Sequence, residues 1–121
     1  MRERRKQPRK QLMSYTQVFD LYGGFLIGYL GDMNLLGVMV ISRRSMPINT
    51  TLTLAIELPE LEGITATRMT IPARVAWCQP DLSPDYFNVG FEFRGLQREQ
   101  EKIVQAIMDH YEFRRDTENP K

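Results

Sequence analysis

Two short segments of this 121-residue chain carry side chains of the types that recognise small anionic ligands. The first is the N-terminal stretch Arg4-Arg5-Lys6-Gln7-Pro8-Arg9. A guanidinium group binds phosphate through two parallel hydrogen bonds and also stacks flat on a nucleobase. Arg5 and Arg9 are four residues apart, and Pro8 restricts the backbone between them. This spacing allows two guanidinium groups to surround one ligand.

The second segment is Asp32-Met33-Asn34-Leu35-Leu36-Gly37. A carboxylate can accept two hydrogen bonds from a guanine edge, one from the ring N–H and one from the exocyclic amine, so Asp32 is a candidate for base recognition. Asn34 can hold a phosphate or the backbone. A structural role fits equally well, because short polar side chains cap sharp turns and Gly37 permits an unusual φ or a close approach.

Enzymatic chemistry is not indicated. The single histidine, His110, falls late in a predicted helix, where it complements the helix dipole. The single cysteine, Cys78, has no base beside it in sequence, and one cysteine excludes an internal disulfide and a multi-cysteine zinc site. We find no phosphate-binding glycine loop, metal-ligand spacing or nucleophile motif. The sequence predicts a binding protein with no metal and no cofactor, in a reducing compartment.

The charge is unevenly distributed. Residues 1–10 hold six basic residues and one acid, a net charge of +5, while the other 111 residues hold ten basic and fourteen acidic residues, a net charge of −4. Charge alone fits a solvated tail. The acidic body lacks the basic stripe of a nucleic-acid binder. The most apolar stretch, 23–31, is about half of the ~20 residues of a membrane-spanning helix, so we expect no membrane insertion.

The hydrophobic pattern predicts six strands followed by one amphipathic helix. The strand-forming runs are 12–22, 25–30, 38–42, 51–58, 68–78 and 87–93. Many short strands without βαβ alternation favour an all-β fold, a closed six-stranded antiparallel barrel with the helix packed on it. The apolar stripe of the helix runs from Leu96 to Tyr111. We expect a flexible arm at 1–11, the barrel and helix at 12–115 and a frayed tail at 116–121.

Three local features refine this prediction. Gly23-Gly24 predicts a tight hairpin, in which both central residues favour positive φ. Pro72 donates no backbone hydrogen bond, so it belongs at an edge or a bulge. Alternation along 68–78 predicts that one face is buried, and it places these residues on that face: Met69, Ile71, Ala73, Val75 and Trp77.

The sequence resembles the PilZ domain, the bacterial receptor module for cyclic di-GMP. Arg5 to Arg9 matches the RxxxR half of that family's signature, and Asp32 and Gly37 match its [D/N]xSxxG half. The runs 73–77 and 89–93 are also family-like, and the resemblance extends from about residue 3 to residue 113. The resemblance implies the same barrel and C-terminal helix. One departure is Asn34, which stands where the family has serine.

The resemblance also implies how the ligand is held. Arg5 and Arg9 bind phosphate and stack on guanine, Asp32 reads a guanine edge, and Arg4 stacks on a second ligand molecule. Trp77 either borders this site or lies inside the barrel. The candidate ligand-binding residues are therefore Arg4, Arg5, Arg9, Asp32, Asn34, Gly37 and Trp77.

The expected mechanism is a ligand-driven switch in the bacterial cytoplasm. The basic arm is mobile without ligand, and cyclic di-GMP orders it over the barrel to form a surface for a downstream protein partner. Motility and biofilm formation are family-level outputs of such a switch. The alternative is an adaptor of the same fold that binds a protein partner without binding nucleotide.

Overall fold

A computed structural model describes residues 11–13 and 16–113 of the chain. The described part contains eight strands and one helix. Their bounds are β1 (Gln11–Met13), β2 (Gln17–Asp20), β3 (Phe25–Met33), β4 (Gly37–Ser42), β5 (Thr51–Glu57), β6 (Arg68–Pro80), β7 (Phe87–Phe93), α1 (Arg98–His110) and β8 (Tyr111–Phe113).

Six of these strands close into a barrel. The order around it is β2-β3-β4-β7-β6-β5, and every neighbouring pair is antiparallel. Period-two alternation gives each strand one apolar face, and closing the sheet buries those faces while removing its free edges. The structure confirms the predicted six-stranded antiparallel barrel with a C-terminal helix.

The barrel interior and the buried face of the helix form one apolar cluster. Val104 and Ile107 of α1 are fully buried and belong to the same cluster as the inward residues of the barrel. These two positions are three residues apart, so they lie on one face of the helix. The largest fully buried barrel side chains are Leu54, Ile56, Ile71, Val18, Val40, Val75 and Val89.

Gln100 fastens the start of α1 to the barrel. Its side-chain oxygen accepts a hydrogen bond from the Gln97 backbone N–H at 3.0 Å, and its Nε2 donates to the Thr70 carbonyl at 2.7 Å. Thr70 lies in the first part of β6, which pairs with β5 alone because β7 pairs no further than Ala73. The start of the helix therefore lies beside the part of β6 that extends past the end of β7.

Two elements were not predicted from the sequence. β1 and β8 form a separate parallel pair, with Gln11 opposite Tyr111 and Met13 opposite Phe113. The run 12–22 is thus not one strand, and the apolar stripe ends in β8, because Tyr111 lies just beyond the helix. Gln11, from the predicted arm, lies in β1. The rest of that arm, residues 1–10, and the predicted tail 116–121 lie outside the described residues.

The predicted hairpin forms with one difference. β2 and β3 are joined by the four residues 21–24, and the Gly24 N–H donates to the Asp20 carbonyl at 2.8 Å. Only Gly24 has positive φ, at 73°. The expectation of positive φ at Gly23 was wrong, because Gly23 is held by a 2.9 Å hydrogen bond from its N–H to Asp20 Oδ1.

Pro72 lies at the kind of position that its missing N–H requires. Its carbonyl accepts a hydrogen bond from the Arg94 N–H at 2.8 Å, just after the end of β7. In an antiparallel strand the N–H and C=O of one residue point to the same side, so the proline nitrogen faces a place where β6 has no partner strand. The prediction of an edge position is confirmed.

Candidate functional site

Two β-bulges determine which side chains reach the outer surface near the β3–β4 turn. In β3, Leu30 pairs with Val40 and Asp32 pairs with Met39, so Gly31 is an extra residue between them. Strict alternation would place Asp32 inward like Leu30, and the extra residue turns it outward.

β6 contains the second bulge, at Ala76. Val75 pairs with Phe91 while Trp77 pairs with Gly90, which leaves Ala76 as the extra residue. The prediction that Trp77 shares the buried face of Val75 was therefore wrong. Trp77 is 40% exposed on the outer wall, and Cys78 packs against the core in its place.

These bulges create one row of outward residues across four strands. The register runs from Asp32 to Met39, from Met39 to Gly90 and from Gly90 to Trp77. Neighbouring strands lie about 4.8 Å apart, so Asp32 and Trp77 are separated by about 14 Å along the row. The row has a carboxylate at one end and an indole at the other.

Gly90 allows the indole to lie across the sheet. A Cβ at this position would overlap Cε2 and Nε1 of Trp77, so the six-membered and five-membered rings cover the bare backbone of β7. A glycine inside a strand often marks such a close approach. The large aromatic face of Trp77 is thereby held on the surface instead of being buried.

A cleft of about 310 Å³ opens over this row. Its charged lining residues are Asp32 and Glu92, and Glu92 pairs with Arg74 through an Nε–Oε1 contact of 3.0 Å. Arg74 also donates to Asn49 Oδ1 at 2.7 Å. The described lining is Asp32, Met33, Asn34, Leu36, Gly37, Val38, Met39, Ala76, Trp77, Gly90, Phe91 and Glu92.

Asn34 closes the β3–β4 turn at the edge of the cleft. Its Oδ1 accepts hydrogen bonds from the backbone N–H groups of Leu36 at 2.7 Å and Gly37 at 3.1 Å. The Asn34 N–H in turn donates to the Gly37 carbonyl at 2.9 Å. This is an Asx-type turn, the structural role that the sequence allowed for this residue.

Gly37 allows β4 and β7 to approach each other closely. It pairs with Glu92, and a Cβ at this position would overlap the Phe91 carbonyl. Its φ is not in the left-handed region, so the need for glycine comes from space and not from backbone conformation. Directly before Gly37, the turn exposes two apolar side chains at its tip, Leu35 and Leu36.

The structure brings together four of the seven sequence-predicted site residues. Asp32, Asn34, Gly37 and Trp77 all line the same cleft. Arg4, Arg5 and Arg9 lie outside the described residues. The sequence analysis missed Met39, Gly90 and Glu92, and only Gly90 had a signal, as a glycine within an apolar strand pattern.

Three arginines of the described residues lie in or next to the strands of the cleft: Arg74 in β6, and Arg43 and Arg44 directly after β4. Arg74 borders the cleft through its ion pair with Glu92. Arg43 and Arg44 follow Ser42, at the opposite end of β4 from Gly37. In the described ranges 11–13 and 16–113, no group of three His, Cys, Asp or Glu side chains could hold a metal ion. No helix within these ranges is both long enough and apolar enough to cross a bilayer.

The described residues thus form a closed antiparallel barrel with a C-terminal helix and an open cleft lined by polar and aromatic side chains. The family model described as PilZ domain matches residues 3–110, so the chain belongs to the PilZ domain family. PilZ domains are binding modules, and theirs is a family of cyclic di-GMP receptors. Comparisons with curated proteins and with solved structures give no significant match.

Proposed function

We propose that this chain binds cyclic di-GMP in the cleft beside the β3–β4 turn. The observation that carries the proposal is the outer row that places the Asp32 carboxylate and the exposed Trp77 indole at the two ends of one cleft. Guanine presents two adjacent N–H donors at its edge and a flat face. A carboxylate suits the first and an indole suits the second.

The charge of the cleft indicates that another part of the chain must complete the binding site. Its charged lining residues are acidic, and Glu92 is already neutralised by Arg74. A ligand with two phosphates therefore needs cations from elsewhere. Residues 1–10 carry a net charge of +5 and include Arg5 and Arg9, whose guanidinium groups can hold phosphate bidentately. Arg4 is the candidate contact for a second ligand molecule.

The path of the chain supports a site in which the cleft binds the base and the N-terminal arm binds the phosphates. The Leu30 N–H donates to the Thr16 carbonyl at 2.8 Å, so Thr16, directly before β2, lies beside Leu30, two residues before Asp32 in β3. β1 then ties Gln11 to Tyr111. Arg9 precedes Gln11 by two residues, which is no more than about 7 Å of extended chain.

The proposed output is an order–disorder switch. The arm repels itself when free, and cyclic di-GMP favours the state in which it is ordered. The exposed Leu35 and Leu36 adjoin the cleft, so an ordered arm and this turn together form a surface for a downstream protein. The proposal places the protein in the bacterial cytoplasm, with motility or biofilm formation as its family-level output.

Calorimetry with cyclic di-GMP and cyclic di-AMP tests the proposal. We expect binding of cyclic di-GMP alone, and Asp32→Asn should weaken it about 10-fold or more, since a hydrogen bond to a charged group contributes about 1.5–3 kcal/mol. Asparagine keeps an oxygen for the 2.9 Å bond from the Met33 N–H, so the fold is preserved.

Glu57→Gln is the matched control, because Glu57 is an exposed carboxylate paired with Arg68 in a different part of the barrel. It should leave the affinity unchanged. If the wild-type protein gives no heat with cyclic di-GMP, the receptor proposal is wrong and an adaptor without nucleotide becomes the better interpretation. Equal affinity for both dinucleotides would contradict the role of Asp32.

A further inference from the structure

The end of the barrel opposite the cleft carries a second surface. The β2–β3 turn (21–24), the start of the β4–β5 connection at Arg43 and the β6–β7 loop (81–86) meet there, because Ser42 pairs with both Gly28 and Phe87. Four of the eight exposed large apolar side chains among the described residues lie in these elements or in the first two residues of β3: Tyr22, Phe25, Leu26 and Leu82.

Two arginines rest on aromatic rings at this end. The Arg43 guanidinium carbon lies 5.4 Å from the centre of the Tyr86 ring, and that of Arg44 lies 5.2 Å from the centre of the Phe25 ring. Among the described residues neither arginine pairs with a carboxylate. The Arg43 Nη2 also donates to the Tyr86 hydroxyl at 3.5 Å, and an aromatic ring over one face of a guanidinium leaves its other N–H groups available for hydrogen bonds.

Hydrogen-bonded turns hold the backbone that carries these side chains. The Arg44 N–H donates to Oγ of buried Ser42 at 3.2 Å. The loop that carries Tyr86 is closed by a 2.9 Å hydrogen bond from the Asp81 N–H to the Tyr86 carbonyl. Tyr22, which is 83% exposed, is presented by the turn that Asp20 closes. A surface of this kind loses little backbone freedom when a partner binds.

We propose that Tyr22, Phe25, Arg43, Arg44 and Tyr86 form a docking surface, here called the hairpin-end surface, for an acidic segment of a protein partner. Its composition is that of an interface centre, since aromatic residues and arginine are enriched there. Carboxylates of the partner pair with the two arginines, and an apolar side chain of the partner covers Tyr22.

The surrounding charges favour a peptide over a membrane. Three aspartates lie at the same end of the barrel as the two arginines: Asp20 at the end of β2, and Asp81 and Asp85 in the β6–β7 loop. A continuous anionic sheet of lipid headgroups would bring negative charge close to these aspartates. A peptide can place its carboxylates opposite the arginines alone, so like charges need not meet.

The hairpin-end surface is separate from the cleft. β3 runs from Phe25, under Arg44, to Met33, beside the β3–β4 turn. Eight steps of about 3.3 Å place these residues about 26 Å apart. The inference therefore does not rest on nucleotide binding, and its test uses the protein without nucleotide.

Selection from a phage library of random twelve-residue peptides tests the inference. We expect selected peptides to be rich in Glu and Asp with at least one apolar residue, and to cause NMR shifts at Tyr22, Arg43 and Arg44. The double variant Arg43→Ala/Arg44→Ala should weaken their binding at least 10-fold. Arg94→Ala/Arg98→Ala, which removes two exposed arginines elsewhere, should leave it unchanged.

Three outcomes would overturn the inference. Selected peptides without acidic residues would contradict the proposed chemistry, as would equal binding to the Arg43/Arg44 variant. Binding of the protein to phosphatidylglycerol vesicles that depends on Arg43 and Arg44, in the absence of peptide binding, would assign the surface to a membrane instead. The melting temperature of each variant shows whether its fold is intact.

Discussion

At the scale of single residues, the exposure of Trp77 is the feature that points most directly to ligand binding. An indole buries a large apolar area when it is inside a core, yet this one is 40% exposed beside a carboxylate cleft. The close approach to Gly90 fixes its position on the outer wall. An aromatic face kept at the surface is well suited to stacking on a base.

Trp77→Ala should weaken cyclic di-GMP binding by roughly 5-fold to 150-fold, since stacking of a base on an aromatic side chain contributes about 1–3 kcal/mol. The melting temperature should change little, because the indole is not part of the core. Calorimetry and thermal denaturation measure the two effects. Tyr22→Ala removes an exposed aromatic at the other end of the barrel, and a similar loss of affinity in that variant would argue against specific stacking.

Two glycines of the cleft should respond differently to the same substitution. In Gly90→Ala the new methyl group meets the Trp77 side chain, which can move, whereas in Gly37→Ala it meets the Phe91 carbonyl in the partner strand. Gly90→Ala should therefore shift the fluorescence of the single tryptophan and weaken nucleotide binding while the barrel stays folded.

Gly37→Ala should instead lower the free energy of unfolding by about 1–3 kcal/mol, the usual cost of forcing extra volume into a packed region. Denaturant unfolding measures this. A Gly90→Ala protein with unchanged fluorescence and affinity would show that the indole does not depend on the bare glycine backbone.

At the scale of elements, the β3–β4 turn is held by one side chain. Asn34 accepts from two backbone N–H groups, and these bonds fix the loop that borders the cleft. Asn34→Ala should lower the free energy of unfolding by about 1–2 kcal/mol, as loss of a side-chain cap does at helix ends, and it should weaken ligand binding by loosening the turn.

The Asn34→Ser variant distinguishes the role of this residue in closing the β3–β4 turn from a direct contact with the ligand. A serine hydroxyl can still accept from the same backbone N–H groups, so stability should stay close to that of the wild type. Tighter cyclic di-GMP binding by this variant, measured by calorimetry, would show that the asparagine weakens the site. If Asn34→Ala is as stable as the wild type, the turn is held mainly by its backbone.

How far the sequence determines this site is clear from the same elements. The hydrophobic pattern predicted the six barrel strands, although the run 12–22 includes parts of two separate strands, and turn chemistry picked out Asp32, Asn34 and Gly37. The bulge at Ala76 could not be predicted, because one extra alanine leaves no mark in the pattern, and it reversed the expected face of Trp77. Glu92 was missed because barrel closure places β4 beside β7, which is distant in sequence.

The strands β1 and β8 were missed for a different reason. Each has three residues, too few for a period to show, and they pair with each other and not with the barrel. Their stability depends on tertiary contacts, such as the Tyr111 hydroxyl donating to the Glu60 carbonyl at 3.1 Å. Local patterns predict elements that bury a whole face, and they fail for short elements that the rest of the fold supports.

At the scale of the whole molecule, the uneven distribution of charge supports the proposed role of the basic arm in ligand binding. Ten residues carry +5 and the remaining 111 carry −4, while the charged residues lining the cleft are acidic. A body of this kind does not attract a dianionic ligand by itself. In the proposed function the arm supplies long-range attraction, so cyclic di-GMP binding should weaken as salt is raised, because exposed charges are screened beyond about 10 Å at 0.1 M ionic strength.

Two double variants distinguish general attraction from a specific clamp. Arg5→Gln/Arg9→Gln and Lys6→Gln/Lys10→Gln each remove two positive charges from the same arm, so both weaken its long-range attraction for an anion to the same extent. Only the arginine pair can bind phosphate bidentately and stack on guanine. Calorimetry should therefore show binding abolished in the first variant and weakened only a few-fold in the second. Equal losses would mean that the arm acts by charge alone, and the phosphate contacts would then have to come from residues of the barrel such as Arg74, released from its ion pair with Glu92.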